Sequence, residues 1–269
     1  MNSSNHKKSF GYDLTKGKFI QPPKIALFLG HLGLGDQIWL SGAVRYIAKN
    51  YDYLEVICKT RNLSILRMLY SDTPTIKIID MGLGTYSYSV YPTETQKGEL
   101  QISLDKYVHV YECGYYKHTA LDFNENDIPG AFYDDLGIHR SVRYTHFSIP
   151  PIPQSKSLYE SIKTQPYIFV QTASSEDVTS IISWDINDVL TIDPNINQYS
   201  PNHRWYALAD TFVNKSFLYY VDTIKHATEL HLVNSSFYTL ASQISPLDAK
   251  VKLCYDRKTG SIISNYDFT

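Results

Sequence analysis

The chain has 269 residues, enough for one large domain or two compact ones, and 43% of them are hydrophobic, which supports a real core. Only 19% are charged and the formal net charge is −2, so the broad basic footprint of a nucleic-acid binder is missing and no nucleic-acid partner is expected. The three cysteines, Cys58, Cys113 and Cys254, are odd in number and widely spaced, which speaks against a disulfide framework or a metal knot and fits a reducing, cytoplasmic setting.

In chain order, residues 1–22 are polar and read as a loose arm without the apolar stretch of a signal peptide. No later apolar run is long enough to cross a bilayer, so a soluble protein without a transmembrane segment is expected. The unbroken apolar run Ile25 to Leu29 suits a strand covered on both faces, as in a parallel sheet. A turn with Gly30, Gly33 and Gly35 follows, and Asp36 stands where a helix is expected to begin. Leu40, Ala43, Val44, Ile47, Ala48 and Tyr51 then lie on one helical face. A second strand is expected over residues 53–58, a short helix around Leu63, Leu66, Leu69 and Tyr70, and a third strand over 75–80. This strand and helix alternation predicts a right-handed parallel sheet. Residues 81–85 read as a loop, 86–98 as a polar insertion and 104–111 as a further strand, with a short helix expected around 131–136.

Ile149, Pro150, Pro151, Ile152 and Pro153 form a stiff linker signal, which divides the chain into an N-terminal unit, 1–150, and a C-terminal unit, 151–269. The second unit repeats the rhythm. Strands are expected over 167–171, 188–193, 217–220, 229–233 and 250–255. Trp205, Leu208, Ala209 and Phe212 mark a helix, a short one capped by Asp222 covers 222–227, and Phe237, Leu240, Ala241 and Ile244 mark another that Pro246 ends. The fold class is therefore α/β, with two Rossmann-like halves whose parallel sheets face a central cleft.

Three strand-to-helix turns can carry chemistry. Gly33, Gly35, Asp36 and Gln37 lie on the first. Its spacing is neither the G-x-G-x-x-G dinucleotide fingerprint nor a P-loop, which puts a cofactor-binding oxidoreductase or methyltransferase last among the readings. A phosphate cradle would have no use for the negative charge of Asp36, so the turn reads as holding a carboxylate base aimed at a hydroxyl, or as one in which Asp36 merely caps the helix. Asn234, Ser235 and Ser236 follow a buried strand and read either as a phosphate site or as an ordinary cap. Thr172, Ser174 and Ser175 form a polar turn that either cradles a diphosphate or caps itself. The nine histidines show no metal spacing, the basic pairs Lys7-Lys8 and Arg257-Lys258 read as solvated, and the 23 tyrosines supply sugar-binding surfaces or reflect compositional bias.

The run Gly33-Leu34-Gly35-Asp36 through Ala43-Val44-Arg45 resembles the N-terminal motif of heptosyltransferase-type glycosyltransferases, where a Gly-Asp begins the first helix and an Ala-Ile/Val-Arg follows nearly two turns on. The segment from Ile224 to Ala241 resembles that family's donor-phosphate segment, with Asn234 in place of the usual acid and Ser236 in place of the usual glycine. The resemblance implies a GT-B-like fold and a glycosyltransferase that moves a sugar from a nucleotide-sugar donor to a hydroxyl of a glycan or glycoconjugate acceptor. It implies no metal and no further cofactor. Asp36 matches the general base. The turn with Gly33, Gly35 and Gln37 would lie beside the acceptor or the donor phosphates, and Asn234, Ser235 and Ser236 would hold the diphosphate. The alternative is a non-catalytic or degenerate α/β domain that binds a nucleotide or glycan.

Overall fold

The computed structural model describes residues 11–13, 18–20, 22–82, 104–114, 127–173 and 189–263. Part of the expected loose arm pairs with itself. Strands β1 (Gly11–Asp13) and β2 (Lys18–Ile20) form an antiparallel ribbon in register Gly11 to Ile20, because backbone pairing satisfies N–H and C=O groups even where no apolar pattern announces a strand.

The N-terminal sheet contains β3 (Ile25–Leu29), β4 (Tyr53–Cys58), β5 (Ile76–Asp80) and β6 (His109–Glu112), in the order β5-β4-β3-β6, and every pairing is parallel. β3 lies inside this sheet, which is why its apolar run shows no polar alternation: Ala26, Leu27, Phe28 and Leu29 are all buried. Between the strands run α1 (Leu34–Trp39), α2 (Ser41–Ala48) and α3 (Leu63–Leu69). The expected face of Leu40, Ala43, Val44, Ile47, Ala48 and Tyr51 is buried throughout. The strand expected over 104–111 is shorter and later. Residues Leu104–Lys106 form a 3₁₀ turn, and β6 begins only where it meets Ala26 of β3. An edge strand is as long as its one neighbour allows, and here Lys106 bonds Glu55 instead of a strand.

Helix α4 (Ile128–Asp135) occupies the expected place, capped by the Asp127 carboxylate, which accepts from Gly130 N–H at 3.1 Å. Helix α5 (Val142–Thr145) precedes the prolines. They lead directly into α6 (Pro153–Ile162), which the sequence reading left unassigned. Pro153 sits in its first turn, where a missing N–H removes nothing, and Leu158 and Ile162 are buried.

The C-terminal sheet contains β7 (Tyr167–Gln171), β8 (Leu190–Ile192), β9 (Glu229–Val233) and β10 (Val251–Tyr255), in the order β10-β9-β7-β8, again all parallel. Its helices are α7 (Tyr206–Phe212), α8 (Val221–Lys225) and α9 (Ser236–Ala241). Residues Phe217–Tyr220 are a 3₁₀ turn and not a strand. A four-residue apolar run carries no readable period, and here Tyr220 donates its hydroxyl to Phe212 O instead of joining a sheet. Asp222 does not cap α8. Tyr220 is the N-cap, and the Asp222 N–H donates to Ser155 Oγ at 2.8 Å. One apolar core runs from Ala26 to Cys254 through both sheets. The three cysteines are buried in it, and burial pushes the Cys58 and Cys254 thiols up to about 12. No helix among the described residues is long and apolar enough to cross a membrane.

Candidate functional site

A cavity of about 850 Å³ opens where the two halves meet. It lies at the carboxyl ends of the parallel strands, where open α/β sheets hold their ligands. Of the residues singled out from the sequence, Gly33, Gly35, Asp36, Asn234, Ser235 and Ser236 line it.

The N-terminal wall is built by the turn after β3. The backbone enters α1 with Gly33 as an extended N-cap at φ −65° and ψ 141°, so Asp36 is the third helical residue and not the cap. Gly33 has no side chain to cap this helix, and its own N–H points to His31 Nδ1 at 3.4 Å. A Cβ on Gly33 would fall on Asp36 Oδ2, so the glycine leaves the space into which the carboxylate folds back. There Asp36 Oδ2 meets His31 Nδ1 at 2.6 Å, and both side chains are largely buried. The other carboxylate oxygen, Oδ1, has no hydrogen-bond partner among the described residues, and Asp36 lines the cavity. His31 also lines the cavity and stacks on Phe132 with 5.9 Å between ring centroids.

Gln37 points elsewhere. It is buried, its amide Nε2 donates to Ile57 O at 3.0 Å, and its Oε1 accepts from Asn62 Nδ2 at 3.3 Å. Asn62 donates also to Leu32 O, so Gln37 and Asn62 fasten the glycine turn to the end of β4. Arg45, the basic residue of the opening motif, does not line the cavity either. Its guanidinium donates to Leu69 O, Asp72 Oδ1 and Ser148 O at 2.8 to 3.0 Å and to Thr73 Oγ1 at 2.6 Å. It ties α2 to the segments that follow α3 and precede the prolines, a structural duty that uses the fork geometry of the group.

The C-terminal wall is built by the turns after β7, β8 and β9. The Ser235 hydroxyl donates to Gln171 Oε1 at 2.7 Å, and Gln171 Nε2 donates to Ala173 O at 2.8 Å, so the turn after β7 and the turn after β9 are one unit. Thr172 is buried and turned inward, its hydroxyl donating to Asp193 Oδ2 at 2.6 Å. Ser174 and Ser175 lie outside the described residues. Asp193, at the carboxyl end of β8, lines the cavity yet is only 2% exposed. It accepts from Thr172 and, through Oδ1, from Asn195 N–H at 2.8 Å. Burial pushes its carboxyl up to about 6, against the opposing pull of those hydrogen bonds.

Two arginines complete the lining, Arg61 from the N-terminal half and Arg257 from the C-terminal half. Arg257 stands on a turn that Asp256 organises by accepting from Lys258 N–H, Thr259 N–H and the Thr259 hydroxyl at 2.8 to 3.0 Å. The backbone donors, that of Thr259 first, hold the Asp256 carboxyl below its usual range. Asp193 carries no signal of its own in the sequence, and Arg257, expected to be solvated, instead lines the cavity, as does His31. A signal for His31 existed, because it shares the glycine turn with Asp36.

The walls meet closely. A Cβ on Gly35 would lie 3.1 Å from Thr239 Oγ1 and 3.5 Å from Ser236 Cα, so the start of α1 rests against α9. The cavity thus sets one carboxylate oxygen, supported by an imidazole, across from hydroxyl, amide and guanidinium donors. Such a set can take a proton on one side and hold an anion on the other.

No protein-family model matches the chain, and no curated protein matches it. Among solved structures it is similar to the bacterial iron-containing dodecameric glycosyltransferase TibC from enterotoxigenic E. coli, at 12% identity and a TM-score of 0.49, over 88% of this chain and 60% of that chain. It is also similar to a glycosyl transferase family 9 structure from Veillonella parvula, at 11% identity and a TM-score of 0.47, over 86% of each chain. A third is E. coli ADP-heptose LPS heptosyltransferase II, at 11% identity and a TM-score of 0.44, over 86% of this chain and 89% of that one.

Proposed function

We propose that the chain is a metal-independent glycosyltransferase that moves a sugar from a nucleotide-sugar donor to a hydroxyl of a glycan or glycoconjugate acceptor. In this reading residues 1–150 form the acceptor-side unit and 151–269 the donor-side unit. The observation that carries it is the single cavity in which Asp36 and the turn of Asn234, Ser235 and Ser236, remote in sequence, stand on opposite walls.

Asp36 Oδ1 takes the proton of the acceptor hydroxyl as that oxygen attacks the anomeric carbon. The bond from the anomeric carbon to the diphosphate breaks, and its electron pair leaves on the nucleoside diphosphate. Negative charge grows on that leaving group, and donors preset around it lower the barrier. Asn234 and Ser236 supply amide and hydroxyl donors, Ser235 holds the turn in shape through its bond to Gln171, and Arg257 supplies a full positive charge on the same cavity. These groups meet the diphosphate charge without calling on a cation. The general base contributes about 10²–10⁴-fold.

The test is a panel of UDP-, GDP-, ADP- and dTDP-linked sugars, read by donor hydrolysis and by thermal stabilisation. Turnover with at least one donor is expected. Replacing Asp36 by Asn should lower kcat by about 10²–10⁴-fold while leaving donor affinity and melting temperature nearly unchanged. An Asn variant with full activity removes Asp36 from the base role. A nucleotide that binds without any turnover favours a non-catalytic nucleotide-binding domain instead.

A further inference from the structure

His31 has no part in the motif that draws attention to Asp36, yet among the described residues it is the one side chain that bonds the carboxylate. An aspartate in the first turn of a helix ordinarily swings back to bond the free N–H groups there. In α1 the carboxylate does not do so but turns to His31 Nδ1 at 2.6 Å, a nitrogen that the Gly33 N–H also approaches, at the longer distance of 3.4 Å. The imidazole is itself held in place. Its ring stacks on Phe132, a fully buried residue of α4, with planes 20° apart. The bond engages Oδ2, while Oδ1 has no partner among the described residues and Asp36 lines the cavity.

We infer that His31 is a positioning residue for sugar transfer: its Nδ1–H anchors Asp36 Oδ2 and so aims Oδ1 at the acceptor hydroxyl. This rests on the glycosyltransferase reading. His31 acts through Asp36 and does not itself receive the substrate proton. A base held by a neutral or charged N–H keeps one rotamer through the reaction, whereas a free carboxylate samples several, and a displacement of about 1 Å can lower a rate by about 100-fold.

Two substitutions separate this role from packing and from direct proton transfer. Asparagine places its Nδ2 where the imidazole Nδ1 stands, and cannot titrate. Glutamine places its amide nitrogen near the position of Nε2, too far along to reach Asp36 Oδ2. His31→Gln should lower kcat by about 10- to 100-fold with little change in donor KM, and His31→Asn should recover most of that loss. In an Asp36→Asn background, His31→Gln should add almost nothing, because its effect runs through the carboxylate. Melting temperatures read alongside show whether each variant is folded. Independently of any variant at His31, the imidazole nitrogen NMR of the unaltered protein should show a protonated Nδ1 whose signal moves in Asp36→Asn.

Asn and Gln variants that are equally inactive and well folded overturn the inference and make His31 the proton acceptor. Variants that are both fully active overturn it by making His31 dispensable. An unprotonated Nδ1 in the unaltered protein overturns it without any substitution. Absence of transfer by the unaltered protein with every donor removes the glycosyltransferase reading, and this inference with it. Transfer by the unaltered protein without rescue by Asn removes this inference alone.

Discussion

The turn after β3 and the turn after β9 use the same backbone device for opposite ends. Each follows a buried parallel strand and opens a short helix, and the two helices rest against each other through Gly35 and Ser236. In the first turn glycine removes side chains so that one acid can fold back against His31. In the second the positions carry Asn234, Ser235 and Ser236, and the hydroxyl of Ser235 is tied to Gln171 of the neighbouring strand. One turn is arranged around a negative charge and the other around polar donors. On the proposed reading, the shared secondary structure sets where the ligand would sit, while the side chains at each turn set which end of it would face which wall.

The sharpest way to break this contrast is to fill the glycines. Gly33→Ala places a methyl on Asp36 Oδ2 and should displace the carboxylate, lowering kcat by about 100-fold with donor affinity kept. Gly35→Ala meets Thr239 Oγ1 at 3.1 Å, which a small shift of one side chain relieves, so a loss of only about threefold is expected. Steady-state kinetics of the two variants decide it. Equal losses would mean that contact between the helices, and not the pose of Asp36, controls the rate.

A second difference between the walls is electrostatic. Asp193 is the deeply buried carboxyl of the C-terminal wall, raised by burial to about 6. The native state holds its proton more tightly than the unfolded chain does, from which the carboxyl titrates near 3.8. Stability from this group is thus present below about pH 4 and lost as pH rises through about 6, on the order of 3 kcal/mol. Denaturant unfolding of the unaltered protein and of Asp193→Asn across pH 4 to 7 should give a difference curve that falls in that window. A flat difference curve would show that the three hydrogen bonds offset the burial.

The smallest effect concerns the arginines, one from each wall. Arg257→Ala should weaken binding of the matching nucleoside diphosphate about tenfold, and more at low salt than at high salt. Arg61→Ala should change it by less than about threefold. Titration calorimetry gives both constants, and the reverse ranking would move the diphosphate to the N-terminal wall.

The strands β3 and β7 were legible because each carries an unbroken apolar run, and burial on both faces demands one, whereas β4 and β9 were legible from the apolar residues around Glu55 and around Glu229 and His231. Asp36 was legible because it stands just past such a run and a glycine turn. Helix α6 was not, because its polar face and the prolines before it masked a stripe that only Leu158 and Ile162 define. The polar turns were readable as turns but not as to where their side chains go. Gln37 and Thr172 have the right chemistry for a ligand, yet the structure commits them to Ile57 and Asp193.

By itself the sequence determined the two parallel α/β halves and the carboxyl-end turns, since the spacing of apolar residues decides locally which faces must be buried. Only the tertiary structure decided that α1 meets α9, that His31 rather than a backbone N–H takes Asp36, and that Arg257 reaches the cavity. The reason is that a polar side chain at a turn has several partners of comparable strength within reach. Which one it takes depends on strands and helices distant in the chain, whose arrival no local pattern encodes.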